Sequence, residues 1–312
     1  MSFDLSLDEQ LCATKAHSYL KQYLPAKPHK WGFKLYVLCD YKGYAYNCEI
    51  YTGQENQPRF RLPSEPDLGS SSNIVVRLSR EVPEYKNYKI YFDNFYTSVP
   101  VMDYLHSRGI LSLGTVRTNR LPNCKLNDSK MQKKLSRGKS VEYISSYKNT
   151  PISALTWKDN KPVTLLSTYA GKLPETIVKR FNRSTKSKIE VACPFVVTEY
   201  NLHMGGVDLL DSLIGRYKIK MRSRKWYIRL FYHFIDLTVV NSWLLYKRVK
   251  EEQNLPVQFE LADWRKNIAY SLTKSEDFKN QRGRRSISIE TRRTSTRALA
   301  MHPTRAVRTD GV

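Results

Sequence analysis

The sequence predicts an α/β protein, and three observations carry that expectation. Strand-like runs of apolar, β-branched and aromatic residues alternate with helical spacing early in the chain; a middle region breaks into short alternating segments; and a long apolar helix follows it. With 312 residues, 41% of them hydrophobic, the chain can bury a sizeable core.

Residues 7–24 (LDEQLCATKAHSYLKQYL) place Leu7, Leu11, Cys12, Ala16, Tyr19, Leu20 and Tyr23 near helical spacing, with Asp4 or Ser6 as a cap. They predict a helix, broken by Pro25, Pro28 and Gly32. Phe33 to Cys39 (FKLYVLC) reads as a strand with Asp40 at its C-terminal end, and Tyr44 to Tyr51 follows across a turn containing Gly43 as the second arm of a hairpin. A polar loop rich in Pro and Ser leads to Ile74–Leu78, which starts the next element. Tyr88 to Phe92 (YKIYF) is a second clear strand, ending in Asp93-Asn94. Thr97 or Ser98 caps a helix (VMDYLHSR) with Pro100 in its first turn and Gly109 at its end, after which Ile110 to Arg117 returns as a strand.

From about Arg120 to Glu190 short alternating segments such as Ser140–Ser145, Ile152–Trp157 and Val163–Ser167 predict a separate β-rich insertion. Phe195 to Val197 follows, and Gly205-Gly206 opens a helix (VDLLDSLIGRY). Trp226 to Val249 predicts a long helix, apolar nearly all round and so mostly buried. Past Trp264 the apolar spacing fades, and from Gln281 an Arg-, Ser- and Thr-rich stretch without aromatics predicts a disordered basic tail.

The net charge of +23 would repel itself in a compact state unless a polyanion lay against it, which points to nucleic acid. The segment from Lys279 onward holds nine basic and two acidic residues, so most of the excess belongs to the folded body. Five scattered cysteines with no C-x-x-C pair read as reduced, structural thiols of an intracellular protein. No stretch approaches the length of a membrane span, and MSFDLSLDEQ lacks the order of a secretory signal, so neither membrane insertion nor secretion is expected.

Two strand-terminal aspartates, Asp40 and Asp93, and a helical pair, Asp208 and Asp211, three apart on one face, form a set of four carboxylates that can converge. Carboxylates suit Mg²⁺ or Mn²⁺, and two such ions can activate a nucleophile on one side of a phosphate and stabilise the leaving oxygen on the other. Each aspartate alone has a plainer reading as a turn or helix-end residue. The stretch Lys218 to Arg229 mixes Lys218, Lys220, Arg222, Arg224, Lys225 and Arg229 with Tyr217, Trp226 and Tyr227, a combination that grips phosphates and stacks on sugars or bases. Lys27 and Lys30, in PAKPHKW, stand just before the first strand; a stiff Pro-rich linker is the alternative reading there. His203 reads as a local structural hydrogen-bonding residue, and the tyrosines as strand and core residues.

The segments IYFDNFYTSVP and YNLHMGGVDLLD, with YLPAKPHKWGFKLYVLCD, YAYNCEIYTG, KPVTLLSTYAG and SRKWYIRLFYHFIDLTVVNSWLLYKR, resemble the piggyBac transposases and their host-derived relatives over roughly residues 7–250. The resemblance implies a ribonuclease-H-like mixed-sheet core with a β-rich insertion domain and flanking helical DNA-binding segments. It implies a catalytic triad of Asp40, Asp93 and Asp208 holding two Mg²⁺ or Mn²⁺ ions, with Asp211 as an additional carboxylate. It also implies cleavage and transfer of double-stranded DNA at transposon ends and TTAA targets, in the nucleus, and leaves a homodimer open as the assembly. The expected division starts with an N-terminal helical segment of a DNA-binding domain (1–30), the first stretch of the core (31–119) and the β-rich insertion (120–192). The second stretch of the core with the catalytic helix (193–216), a helical DNA-binding segment (217–275) and the basic tail (276–312) complete it. The family usually carries a longer N-terminal portion and often a C-terminal Cys/His-rich module, so a domesticated nuclear DNA- or chromatin-binding protein without catalysis is the alternative. A basic RNA-binding protein with structural aspartates is a third reading, which leaves the aspartate-bearing segments unexplained.

Overall fold

The computed structural model describes residues 1–274 apart from residues 26, 54–56, 122, 123, 125, 127–134, 222 and 224. The expected basic tail (276–312) lies outside the described residues. Residues Met1–Ala262 form one compact unit, and a second begins at Asp263.

The first strand, β1 (Asp4–Ala13), is flanked on one side by β3 (Trp31–Asp40), which also pairs β2 (Lys21–Tyr23) and β4 (Ala45–Ile50). On its other side come β5 (Lys89–Phe92) and β6 (Leu111–Thr115). Three further strands, β7 (Ser140–Tyr147), β8 (Thr150–Lys158) and β9 (Pro162–Ser167), complete a sheet of nine among the described residues, in the order β2-β3-β1-β5-β6-β9-β8-β7 with β4 beside β3. β1 runs antiparallel to β3 and parallel to β5, and β5 runs parallel to β6.

The expected helix over 7–24 is therefore wrong, and with it the helical character of residues 1–30. Backbone pairing on both sides of β1, from Leu5↔Asp40 to Ala13↔Gly32 on one edge and Asp4↔Lys89 to Leu7↔Phe92 on the other, outweighs local helical spacing. Tyr19 and Tyr23, counted in the apolar stripe, are exposed.

Alternation along β1 sends Leu5 and Leu7 into a core with Ile74 and Val75 of α1 (Ser70–Leu78) and Met102 and Leu105 of α2 (Val99–Ser107). Burying each such side chain contributes about 1.5–3 kcal/mol. α2 starts as its sequence predicts, with the Ser98 hydroxyl accepting from the Val101 N–H. It ends at Gly109, whose φ of +67° and contact with the Tyr85 backbone exclude a side chain.

The region 120–192 is β-rich, yet most of it is not separate: β9 continues the main sheet through Leu113↔Ser167, and β8 and β7 follow. Only β10 (Thr176–Asn182) and β11 (Ser187–Cys193) form a sheet of their own. Three helices come next: α3 (Phe195–His203), which the local sequence pattern does not announce, α4 (Gly206–Arg216), and the long α5 (Trp226–Glu252). The expectation that α5 is buried nearly all round is not met. It buries one face instead, through Leu230, His233, Asp236, Leu237, Val240, Trp243 and Leu244, and leaves Tyr227, Phe231, Leu245 and Val249 exposed. A last helix, α6 (Leu261–Lys274), begins with the buried Leu261. No helix among the described residues is long and apolar enough to cross a membrane.

Candidate metal centre

The parallel register decides which carboxylates meet. Leu7 lies opposite Phe92, so the next residues along the two strands are Asp8 and Asp93. Ligand oxygens of Asp8, Glu9 and Asp93 all lie within 4.8 Å of one another. Asp8 and Glu9 are absent from the sequence-based set because they fall inside the supposed helix.

Asp40 does not join them, a correction to the expected triad. It pairs with Leu5, three residues from Asp8 along β1, or roughly 10 Å at about 3.3 Å per residue, and on the strand away from β5. Its fully buried carboxylate is also engaged on both oxygens. Oδ1 accepts from the Lys42 N–H (3.0 Å) and the Tyr44 N–H (2.9 Å), and Oδ2 accepts from Arg248 Nη2 (2.6 Å) and the Tyr46 hydroxyl (3.4 Å). Asp40 closes the β3–β4 turn and ties it to α5.

Asp4, Ser6, Asp8, Gln10 and Cys12 alternate onto the face of β1 opposite Leu5 and Leu7, the face that α4 and α5 cover. α4 comes close because Gly206 has no side chain; a Cβ there would collide with the Asp40 carbonyl and the Ser6 hydroxyl. This approach sets Asp211 against β1, where Gln10 Nε2 donates to Asp211 Oδ1 at 2.7 Å. His233 of α5 donates in turn from Nε2 to Gln10 Oε1 at 2.8 Å. Burial, then the nearby Lys218 and Arg229, pushes the His233 pKa down to about 3, so the ring is neutral and its Nδ1 is buried without a partner among the described residues. Asp208, one helical turn earlier, is three-quarters exposed (75%) and lies 3.9 Å from Lys27 Nζ, which donates to the Glu9 carbonyl at 3.0 Å. Lys27 thus spans from β1 to α4.

Burial, followed by the Glu9 charge and then that of Asp93, pushes the Asp8 carboxyl up to about 7, although the Glu9 N–H donates to it at 2.8 Å. Asp93 is raised chiefly by burial, against the Phe95 N–H at 2.8 Å, and Asp211 is raised by burial against its Gln10 bond. Three carboxyls with disfavoured charge lie on one side of the sheet, where Lys27 near Asp8 and Asp211 and Lys34 near Asp93 offset burial only in part. Their donors are all hard oxygens, the set that Mg²⁺ or Mn²⁺ takes.

The expected nucleic-acid residues divide. Lys30, Lys218 and Arg229 line one open cleft of about 650 Å³ with Trp31. Arg229 Nε is anchored to the Ala13 carbonyl at 3.0 Å, and burial lowers the Lys218 pKa. Lys27 stands at the carboxylates, Lys220 and Lys225 are exposed, and Arg222 and Arg224 lie outside the described residues. His203 Nδ1 bonds to the Glu199 carbonyl at 2.9 Å, the local structural role its position suggests.

A family model described as transposase IS4 matches residues 1–243. The chain is similar to the human piggyBac transposable element-derived protein 2, with 31% identity over 287 residues, 92% of this chain and 47% of that protein. The human piggyBac transposable element-derived protein 3 is 30% identical over 256 residues, 81% of this chain and 41% of that protein. The chain thus spans about half the length of the curated relatives it matches. Among solved structures, a cryo-EM structure of a piggyBac transposase synaptic complex with hairpin DNA matches with a TM-score of 0.66 and 24% identity, over 98% of this chain and 59% of that one, a likeness of fold.

Proposed function

We propose, because the chain belongs to the transposase IS4 family and to its piggyBac-type members, that it is a transposase-like domain cutting and joining DNA strands with divalent metal. The carrying observation is the meeting of Asp8 with Asp93 across the parallel pair, with the carboxylate-bearing helix α4 packed on the same face of β1. The strand order β4-β3-β1-β5-β6, antiparallel up to β1 and parallel beyond it, supports reading the core as ribonuclease-H-like.

In this reading Asp8 and Asp93, with Asp208 and Asp211 from α4, hold two Mg²⁺ or Mn²⁺ ions. When bound, the metal activates a water or 3′-hydroxyl and stabilises the leaving oxygen. Gln10 orients Asp211, because its carbonyl is fixed by His233 and its amide is left to face the carboxylate. Lys27 offsets part of the carboxylate charge and stands between β1 and Asp208. Lys30, Lys218 and Arg229 in their shared cleft take the duplex backbone. Double-stranded DNA is the substrate, with TTAA the target the resemblance suggests and the nucleus the compartment it requires.

A second reading is DNA binding without cutting. It is favoured by the outward position of Asp208 beside Lys27. Nicking of a labelled TTAA-containing duplex with Mg²⁺ or Mn²⁺ separates the two. Metal-dependent cleavage that disappears in Asp8→Asn and Asp93→Asn establishes the first reading; equal binding with no cleavage in all three proteins establishes the second.

A further inference from the structure

The ribbon of β10 and β11 has two faces of opposite character. Its inner face is fixed to the body: Val178, Ile189 and Val191 pack with Trp157, whose indole Nε1–H donates to the Ala192 carbonyl at 2.9 Å. Asp159 beside it is held by Arg137 at 2.7 Å and by Arg180 at 3.3 Å.

The outer face is different. Ile177, Lys179 and Phe181 alternate along β10, and Lys188 stands opposite Phe181 on β11, with Arg183 and Lys186 in the turn between the strands; all are exposed. Ile177 is 70% exposed and Phe181 56%. Glu190, opposite Lys179, is the acidic residue of this face, and Lys179, Arg183, Lys186 and Lys188 form no ion pair among the described residues. A face kept only for solubility intersperses both signs of charge and needs no large apolar side chains, whereas this one sets four cations against Glu190. Unpaired cations of one sign around an exposed aromatic ring are the surface that a nucleic-acid backbone and its sugars complement.

We propose that this outer face is a second DNA-contact surface, outside the carboxylate cluster, on which Lys179, Arg183, Lys186 and Lys188 take phosphates of one duplex while Phe181 and Ile177 lie against its sugars. The strand length of seven residues spans roughly 20 Å at about 3.3 Å per residue, over which a duplex presents roughly a dozen phosphates. The fixed inner face makes the surface rigid, so little order has to be created on binding. This inference rests on the reading of the chain as a DNA-acting protein and adds where the duplex runs.

The test uses the full chain, a labelled duplex DNA and a duplex RNA of the same length, with affinity followed by fluorescence anisotropy across a salt series. The combined variant Lys179→Gln, Arg183→Gln, Lys186→Gln, Lys188→Gln is expected to keep the wild-type melting temperature. Its plot of log affinity against log salt for DNA should be shallower by about 3 to 4, at about 0.9 per lost phosphate contact. Phe181→Ala is expected to weaken binding with the slope unchanged. A wild-type slope in the combined variant overturns the proposal, as does a slope change seen with RNA alone. Failure of the wild-type chain to bind duplex DNA at any salt overturns the underlying functional reading as well, whereas wild-type binding with an unaltered variant slope removes only the ribbon surface.

Discussion

Gln10 of β1 donates to Asp211 of α4 at 2.7 Å while its carbonyl accepts from His233 of α5 at 2.8 Å. One side chain of the central strand therefore sets both the carboxylate and the long helix. Gln10→Leu leaves a raised carboxyl and an imidazole N–H without partners. It is expected to destabilise the fold by about 1–3 kcal/mol for each group stranded, measured by urea unfolding. Gln10→Glu, which keeps the shape but sets a second carboxyl against Asp211, should destabilise more at pH 8 than at pH 5. An equal loss at both pH values would contradict the assigned contact.

The Asp40–Arg248 pair, at 2.6 Å with Asp40 fully buried, predicts a structural phenotype. Arg248→Ala strands a buried charge and is expected to lower stability by about 3–5 kcal/mol. At a temperature where the variant remains folded, metal-dependent cleavage per folded molecule should stay near wild type. A large loss of cleavage in fully folded Arg248→Ala would return Asp40 to the catalytic set.

Two titrations act with opposite sign. Asp8, raised to about 7 by burial and its acidic neighbours, contributes its full stability below the ordinary carboxyl pKa and loses it as pH rises through about 7. In metal-free buffer Asp8→Asn should therefore match wild type near pH 4 and exceed it by up to a few kcal/mol at pH 8. His233, lowered to about 3 by burial, contributes stability above the ordinary imidazole pKa and loses it as pH falls towards 3. Relative to His233→Gln, wild type should weaken across that acidic window. Denaturation midpoints across pH for the three proteins check both signs.

Gly206 permits α4 to lie against the Asp40 carbonyl and Ser6, so Gly206→Val is expected to push α4 off β1. Metal-dependent cleavage should fall further than overall helicity, as read by cleavage rate beside circular dichroism. Parallel losses of both would show that Gly206 matters to folding alone.

The strands β3 and β5, helix α2 with its Ser98 cap, and the opening of α4 are legible in the sequence because their patterns are local. β1 is not. Its two-sided pairing involves residues distant in sequence, and within the strand Leu7, Leu11 and Cys12 also fit helical spacing. That ambiguity moves the first acidic position to Asp40, since a strand-terminal aspartate looks the same whether it faces a partner carboxylate or an arginine from a distant helix. The available signal is the alternation of apolar Leu5 and Leu7 with polar Ser6 and Asp8 at the start of LSLDEQL, the period of a half-buried strand. Likewise, the apolar residues of α5 give no sign of which face is buried, because that depends on β1 and α4.

Mn²⁺ binding to wild type, Asp8→Asn and Asp40→Asn, measured by titration calorimetry on samples shown to be folded, tests most directly the claim that Asp8 and Asp93 form the metal centre. Roughly tenfold or greater weakening is expected in Asp8→Asn, about 1.4 kcal/mol or more, with near-wild-type affinity in Asp40→Asn. Intact Mn²⁺ binding in Asp8→Asn together with its loss in Asp40→Asn would contradict it.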